Sequence, residues 1–138
     1  MTGRQRLSLW GPPSLLIALQ TFLSSRPPAL LPHLFPHSDK VVHVGYFFLI
    51  ALLAYRAGRH AEGWTRGRAG LVALLATAGF GLADEFHQSF TPSREADVWD
   101  LVADLTGAAC AAVFGERILG FLRFSPPVGV RGIEKPRT

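Results

Sequence analysis

The sequence predicts an all-α, polytopic integral membrane protein folded as a four-helix transmembrane bundle. Three observations carry that expectation. Apolar and aromatic residues make up 49% of the 138 residues. Only 17% are Asp, Glu, Lys or Arg, against about a quarter in soluble domains. The apolar residues also fall in four blocks separated by short polar gaps. Such blocks leave no polar outer face for a soluble helical core. The length suits a single domain.

The first helix is expected over about 7–24. Arg4 and Arg6 precede it, and Pro12 and Pro13 fit a first turn, where a missing N–H costs little. A signal peptide has the same charged start and apolar middle. The following Ser24, Ser25, Arg26, Pro27 and Pro28 make a poor small-residue cleavage site, so a retained helix is expected. Pro27, Pro28, Pro32 and Pro36 mark a loop, and its Leu and Phe residues place it on the membrane surface. The second helix is expected over about 39–56, with Asp39 or Ser38 as its N-cap. A basic loop leads to the third, over about 69–88. The turn signal Thr91, Pro92, Ser93 precedes the fourth, over about 97–115. Residues 116–124 read as a mildly amphipathic interfacial stretch, and 125–138 as a disordered cytoplasmic tail. Cys110, the single cysteine, reads as a small packing residue and excludes an internal disulfide.

The uncharged runs are only about 15–17 residues long, where a span needs roughly 20. The spans close if the flanking acids and bases lie inside the helices. Fourteen Lys and Arg against ten Asp and Glu give a net charge of +4. The basic residues sit in gaps between apolar blocks rather than along a soluble stripe, so membrane topology explains them and nucleic acid is not an expected partner. Arg4, Arg6, Arg56, Arg59, Arg66, Arg68, Arg123, Arg131, Lys135 and Arg137 fall on one side of a four-span chain. Arg26, Lys40 and Arg94 fall on the other. Both termini are therefore expected in the cytoplasm, and the acidic end faces outward.

Three stretches gather the polar residues. Asp39, His43 and Tyr46 share one helical stripe, with Lys40 beside it. Gly81, Asp84, Glu85 and Gln88 share a second. Asp97, Asp100, Asp104, Gly107 and Ala111 share a third, preceded by Arg94. A charge facing lipid costs several kcal/mol, so the stripes must turn inward and meet in a polar pocket among helices two, three and four. Each group also has a purely structural reading. Asp100 and Asp104 pair with Lys40 or Arg94, His43 is a satisfied core histidine, Tyr46 packs, and His87 lies in the interface.

Two functional readings follow from the residues. As a binding site, Asp39, Lys40, His43, Glu85, Gln88, Arg94, Asp97, Asp100 and Asp104 hold a ligand, with Lys40 and Arg94 suited to phosphate or carboxylate. As an enzyme, Glu85 or Asp84 is the base and His43 a proton shuttle. Asp84, Glu85, Asp97, Asp100 and His43 offer donors for a hard divalent ion. Without zinc-type spacing such as H-E-x-x-H, neither metal nor cofactor is expected. Ion conduction is a third and weaker option for four short helices.

Asp39 and Lys40 with His43, then Asp84, Glu85, His87 and Gln88, then Arg94, Asp97, Asp100, Asp104 and Gly107 resemble the VanZ-like family in order and spacing. The similarity runs from about Ser24 to Phe114, within a membrane domain of residues 1–124. At the last polar position of the third motif, where many members carry Asn, this chain has Asp104. The family's named member is associated with low-level resistance to the glycopeptide teicoplanin. The resemblance thus implies a bacterial inner-membrane protein with a cell-envelope role, and a lipid-linked or anionic envelope ligand.

Overall fold

In a computed structural model the described residues form an all-helical fold. The structure describes residues 1–26, 37–91 and 97–122. Among these residues four helices follow in order: α1 (Gly3–Ser24), α2 (Ser38–His60), α3 (Arg66–Gln88) and α4 (Val98–Phe121). The proline-rich loop, Arg94 and the tail lie outside the described residues.

The helix starts are set by caps that apolar periodicity does not register. Thr2 closes a capping box with Gln5, so α1 begins at Gly3 and not near Leu7. Pro12 and Pro13 then fall inside the helix rather than in its first turn. Each removes one backbone donor, and Pro13 is buried. For α2, the N-cap position is His37, in the left-handed region at φ 63° and with no side-chain cap bond. Neither Asp39 nor Ser38 acts as the cap. Asp39 instead lies in the first turn, where a negative charge complements the helix dipole. Thr65 caps α3 by accepting from the Arg68 N–H, which moves its start up to Arg66. Asp97 caps α4 by accepting from the Trp99 N–H at 2.8 Å.

The helix ends also run past the apolar blocks. α2 continues to His60 because Ala57 and Gly58 are buried and Arg59 finds an acceptor on α4. Residues 116–121 are not a separate interfacial segment. They continue α4, with Leu119 buried in the bundle. Cys110 is exposed, so it fills no core position.

Adjacent helices run antiparallel. The end of α1, the start of α2, the end of α3 and the start of α4 meet at one end of the bundle. α4 packs most closely on α2 and on α3, and α1 flanks α2 with a lighter contact to α3. The buried core contains Phe47, Ile50, Ala51 and Tyr55 of α2 against Ala69 and Ala73 of α3 and Ala108 and Ala111 of α4. Small residues permit this closeness. At Gly107 an added Cβ would lie 2.3 Å from the Val44 carbonyl oxygen and 2.7 Å from the Phe48 nitrogen. No Cβ fits there, so α2 and α4 touch backbone to backbone.

The outside is apolar. Leu15, Leu71, Leu75, Leu82, Val98, Trp99, Val113 and Phe121 are all more than half exposed. α2, α3 and α4 are long and apolar enough to cross a membrane, with no more than 39% of any spanning window buried inside the bundle. At 1.5 Å per residue they reach about 35 Å, against a hydrocarbon core of about 30 Å. α1, at 22 residues, is more polar, because Pro12, Pro13, Gln20 and its serines dilute its apolar run. The chain is a polytopic membrane protein whose outer surface is solvated by lipid.

The Gly107 contact yields a direct test. Gly107→Ala should lower stability toward unfolding in detergent by about 1–3 kcal/mol, the usual cost of overpacking. Gly45→Ala, where nothing lies within 4 Å of the added methyl, should change it by less than about 1 kcal/mol. Equal responses would contradict the close α2–α4 approach.

Candidate functional site

The three polar stripes converge at one end of the bundle, joined by residues of α1. Lys40 is the hub. Its ammonium donates to the Asp97 and Asp100 carboxylates and lies 3.2 Å from Asp39. Asp97 sits at the α4 N-cap, and its own backbone N–H donates to Glu85 Oε2 at 2.8 Å. That bond ties the end of α3 to the start of α4.

One turn deeper, His43 Nδ1 lies 2.9 Å from Asp104 Oδ1, and its Nε2 lies 3.9 Å from Asp100 Oδ2. The imidazole thus stands between a carboxylate 14% exposed and one 1% exposed. Phe47 stacks beneath the imidazole, and Phe80 beneath Phe47. This fixes the ring on its apolar side.

The third group centres on Asp84. Its Oδ2 accepts from Gln20 Nε2 at 3.0 Å, Ser24 Oγ at 2.8 Å and Gln88 Nε2 at 3.0 Å. Gln20 and Ser24 belong to α1, which the sequence reading left out of the site. Their signal was there: Gln20 and Ser24 lie one turn apart and interrupt an otherwise apolar run. Asp84 Oδ1 and Asp104 Oδ2 are buried and accept no hydrogen bond among the described residues.

Asp39, Lys40, His43, Asp84, Glu85, Gln88, Asp97, Asp100 and Asp104 are therefore all brought to one end. Arg94 lies outside the described residues. Tyr46 stands apart from the carboxylates and donates to the Leu16 carbonyl at 2.8 Å, tying α2 to α1. His87 is exposed and pairs with Ser25 Oγ at 3.0 Å.

Residues 9–119 match the VanZ/LLP1 family. The chain belongs to this family. An uncharacterized protein of Schizosaccharomyces pombe is 38% identical over 81 residues. That match covers 55% of this chain and 45% of the yeast protein, so the chain spans less than half of that relative's length. No solved structure matches.

For this VanZ/LLP1 member the geometry shows which of the expected groups are already paired. Among the described residues, six carboxylates (Asp39, Asp84, Glu85, Asp97, Asp100 and Asp104) share the end with Lys40, Arg26 and the histidines His37, His43 and His87. Lys40 is already held by three of these carboxylates, so an anion would meet a neutralised ammonium surrounded by negative charge. Carboxylates outnumber the Lys and Arg groups among the described residues at this end. The donors considered for a divalent ion do not converge: among the described residues no three His, Cys, Asp or Glu are placed to hold a metal.

A second polar cluster, which sequence reasoning missed, lies at the opposite end. Glu116 Oε2 accepts from Tyr55 Oη at 2.8 Å and Arg59 Nε at 3.1 Å, and Arg66 Nε lies 3.3 Å from Oε1. Nearby, Glu62 accepts from Trp10 Nε1 at 3.2 Å and pairs with Arg6 at 3.1 Å. A cleft of 530 Å³ opens here, lined by Tyr55, Arg66, Gly67, Ala112, Val113, Glu116 and Arg117. It is far from the carboxylate end, where polar groups pack against one another.

Two predictions follow from these contacts. A double-mutant cycle of His43→Ala and Asp104→Asn, read by unfolding in detergent, should give a coupling of about 1–3 kcal/mol. Additivity would mean that the pair does not form. Separately, the Lys40 ammonium, with help from the Trp99 N–H, holds the Asp97 carboxyl below its ordinary value. A carboxyl whose folded pKa is depressed stabilises fully above its unfolded pKa and loses that contribution as pH falls through the folded value. Stability should therefore drop below about pH 4. Asp97→Asn should flatten that drop, and an unchanged acid profile would rule the pair out as its source.

Proposed function

We propose that this protein serves the cell envelope as a non-enzymatic membrane component, binding an envelope molecule at its acid-rich end. In this reading it resides in a bacterial inner membrane with both termini in the cytoplasm, and the acid-rich end faces outward. The excess of Lys and Arg in the loops at the opposite end supports that orientation. Glycopeptide resistance of the teicoplanin type is the phenotype that the family resemblance brings with it.

The observation that carries the reading is the surrounding of Lys40 by Asp39, Asp97 and Asp100. With the Lys charge spent internally, the remaining carboxylates select a ligand with a cationic group, such as an amine. The anionic ligand expected from the sequence rested on Lys40 together with Arg94, and Arg94 lies outside the described residues. The N-cap of α4, where Asp97 is 39% exposed, lies beside Asp39, 43% exposed, and together they form the open side of the acids that hold Lys40. It is where such a group would first be met.

One observation favours a second reading. His43 between Asp104 and Asp100 has the arrangement of a general acid–base held by a buried carboxylate. A phosphorylated lipid would be a poor substrate for it, because the neutralised Lys40 offers no phosphate anchor.

The purified full chain should bind an envelope stem peptide with a free amine and not its N-acetylated form. Asp100→Asn should weaken binding about tenfold. In cells, expression should raise tolerance to teicoplanin, and Asp100→Asn at equal membrane abundance should remove the gain. Equal binding of both peptides would sink the cationic-ligand reading. Turnover of a phosphorylated lipid by the pure protein would favour the enzyme instead.

A further inference from the structure

The cleft at the opposite end joins a positive mouth to an apolar wall. Glu116 is its one carboxylate, and it is already satisfied by Tyr55, Arg59 and Arg66. Arg66 commits only Nε to that pair, and its side chain is 73% exposed. Arg117 lines the same cleft and makes no ion pair among the described residues. Two guanidinium groups thus present unused donors to one space.

Depth sharpens the argument. Arg117 lies within α4, a helix that crosses the membrane, and before its end at Phe121. A guanidinium this close to the end of a spanning helix reaches toward the headgroup layer, where lipid phosphates lie. Gly67 brings the first turn of α3 to the cleft, and first-turn amides lack intrahelical acceptors and favour negative charge.

The wall beyond the arginines is formed by Ala112 and Val113. Gly67 adds no side chain, so the space continues onto the lipid-facing surface, where Val113 is 71% exposed. A free phosphate would use only the basic half of such a site. We infer that the cleft binds an anionic phospholipid, its phosphate between Arg66 and Arg117 and one acyl chain along Ala112 and Val113. The site does not depend on the reading of the carboxylate end. Bound lipid would screen the like-charged arginines and fix the depth of α3 and α4 in the bilayer.

Native mass spectrometry of the full chain tests this, with phosphatidylglycerol and phosphatidylcholine of identical acyl chains supplied together. Phosphatidylglycerol should be retained about fivefold or more over phosphatidylcholine, roughly what one basic residue near a lipid surface supplies. Arg66→Gln with Arg117→Gln should bring the ratio near one. Arg4→Gln with Arg68→Gln, charges at the same end outside the cleft, should leave it high. Val113→Trp, which keeps every charge, should lower retention by blocking the acyl path. The inference is overturned by equal retention of the two lipids, or by the Arg66 and Arg117 variant matching the Arg4 and Arg68 control. It is equally overturned by full retention in Val113→Trp. Displacement of the lipid by millimolar inorganic phosphate would assign the site to free phosphate and overturn it as well.

Discussion

The bundle depends on the cost of ionised groups in a low-dielectric interior. A carboxylate or ammonium that faces hydrocarbon is expensive, and one that is buried must be paired. Lys40 meets this demand from α2 by holding Asp97 and Asp100 at the start of α4. His43 repeats the link one turn deeper through Asp104. These contacts need the two helices to be close, and Gly107 against the Val44 carbonyl is what lets them approach. Packing and charge pairing therefore specify the same interface.

The third helix is tied in by different chemistry. Glu85 accepts from the Asp97 backbone, and Asp84 gathers Gln20, Ser24 and Gln88. Asp84 Oδ1 and Asp104 Oδ2 are left buried without hydrogen bonds among the described residues. Unmatched acceptors of this kind carry a desolvation cost and mark where a proton or cationic donor would be stabilised. At the other end, Glu116 balances Arg59 and Arg66, so each end of the bundle has its own ionic clasp and the middle is apolar. The two clasps differ in sign. One has surplus acid and the other surplus base, which separates the chemistry each can recognise.

Much of the acidic end was legible in the sequence. Asp39, His43, Glu85, Asp100 and Asp104 lie on helical stripes, and helical periodicity plus the cost of facing lipid sends them inward. Gln20 and Ser24 were missed because α1 contributes neutral side chains, which carry little penalty to flag them. Tyr55, Arg59, Arg66 and Glu116 were missed for another reason. Each looks like an ordinary loop or interface residue until α2 and α4 are seen to extend beyond their apolar blocks. The helix starts moved for the same kind of cause: Thr2 and Thr65 satisfy backbone donors, and apolar periodicity does not count donors.

The sequence by itself determined the all-helical class, the membrane setting and the gathering of acids at one end. Those follow from composition and from periodicities of a few residues, which are local properties of the chain. Only the tertiary structure decided who pairs with whom. Lys40 has three carboxylates around it and not an empty space for an anion, and a basic cleft lies between α3 and α4. Those outcomes depend on helix rotation and depth, set by backbone contacts between residues about sixty positions apart, such as Val44 and Gly107. No stretch of sequence encodes such a distance, so the pairing could be read only from the assembled bundle.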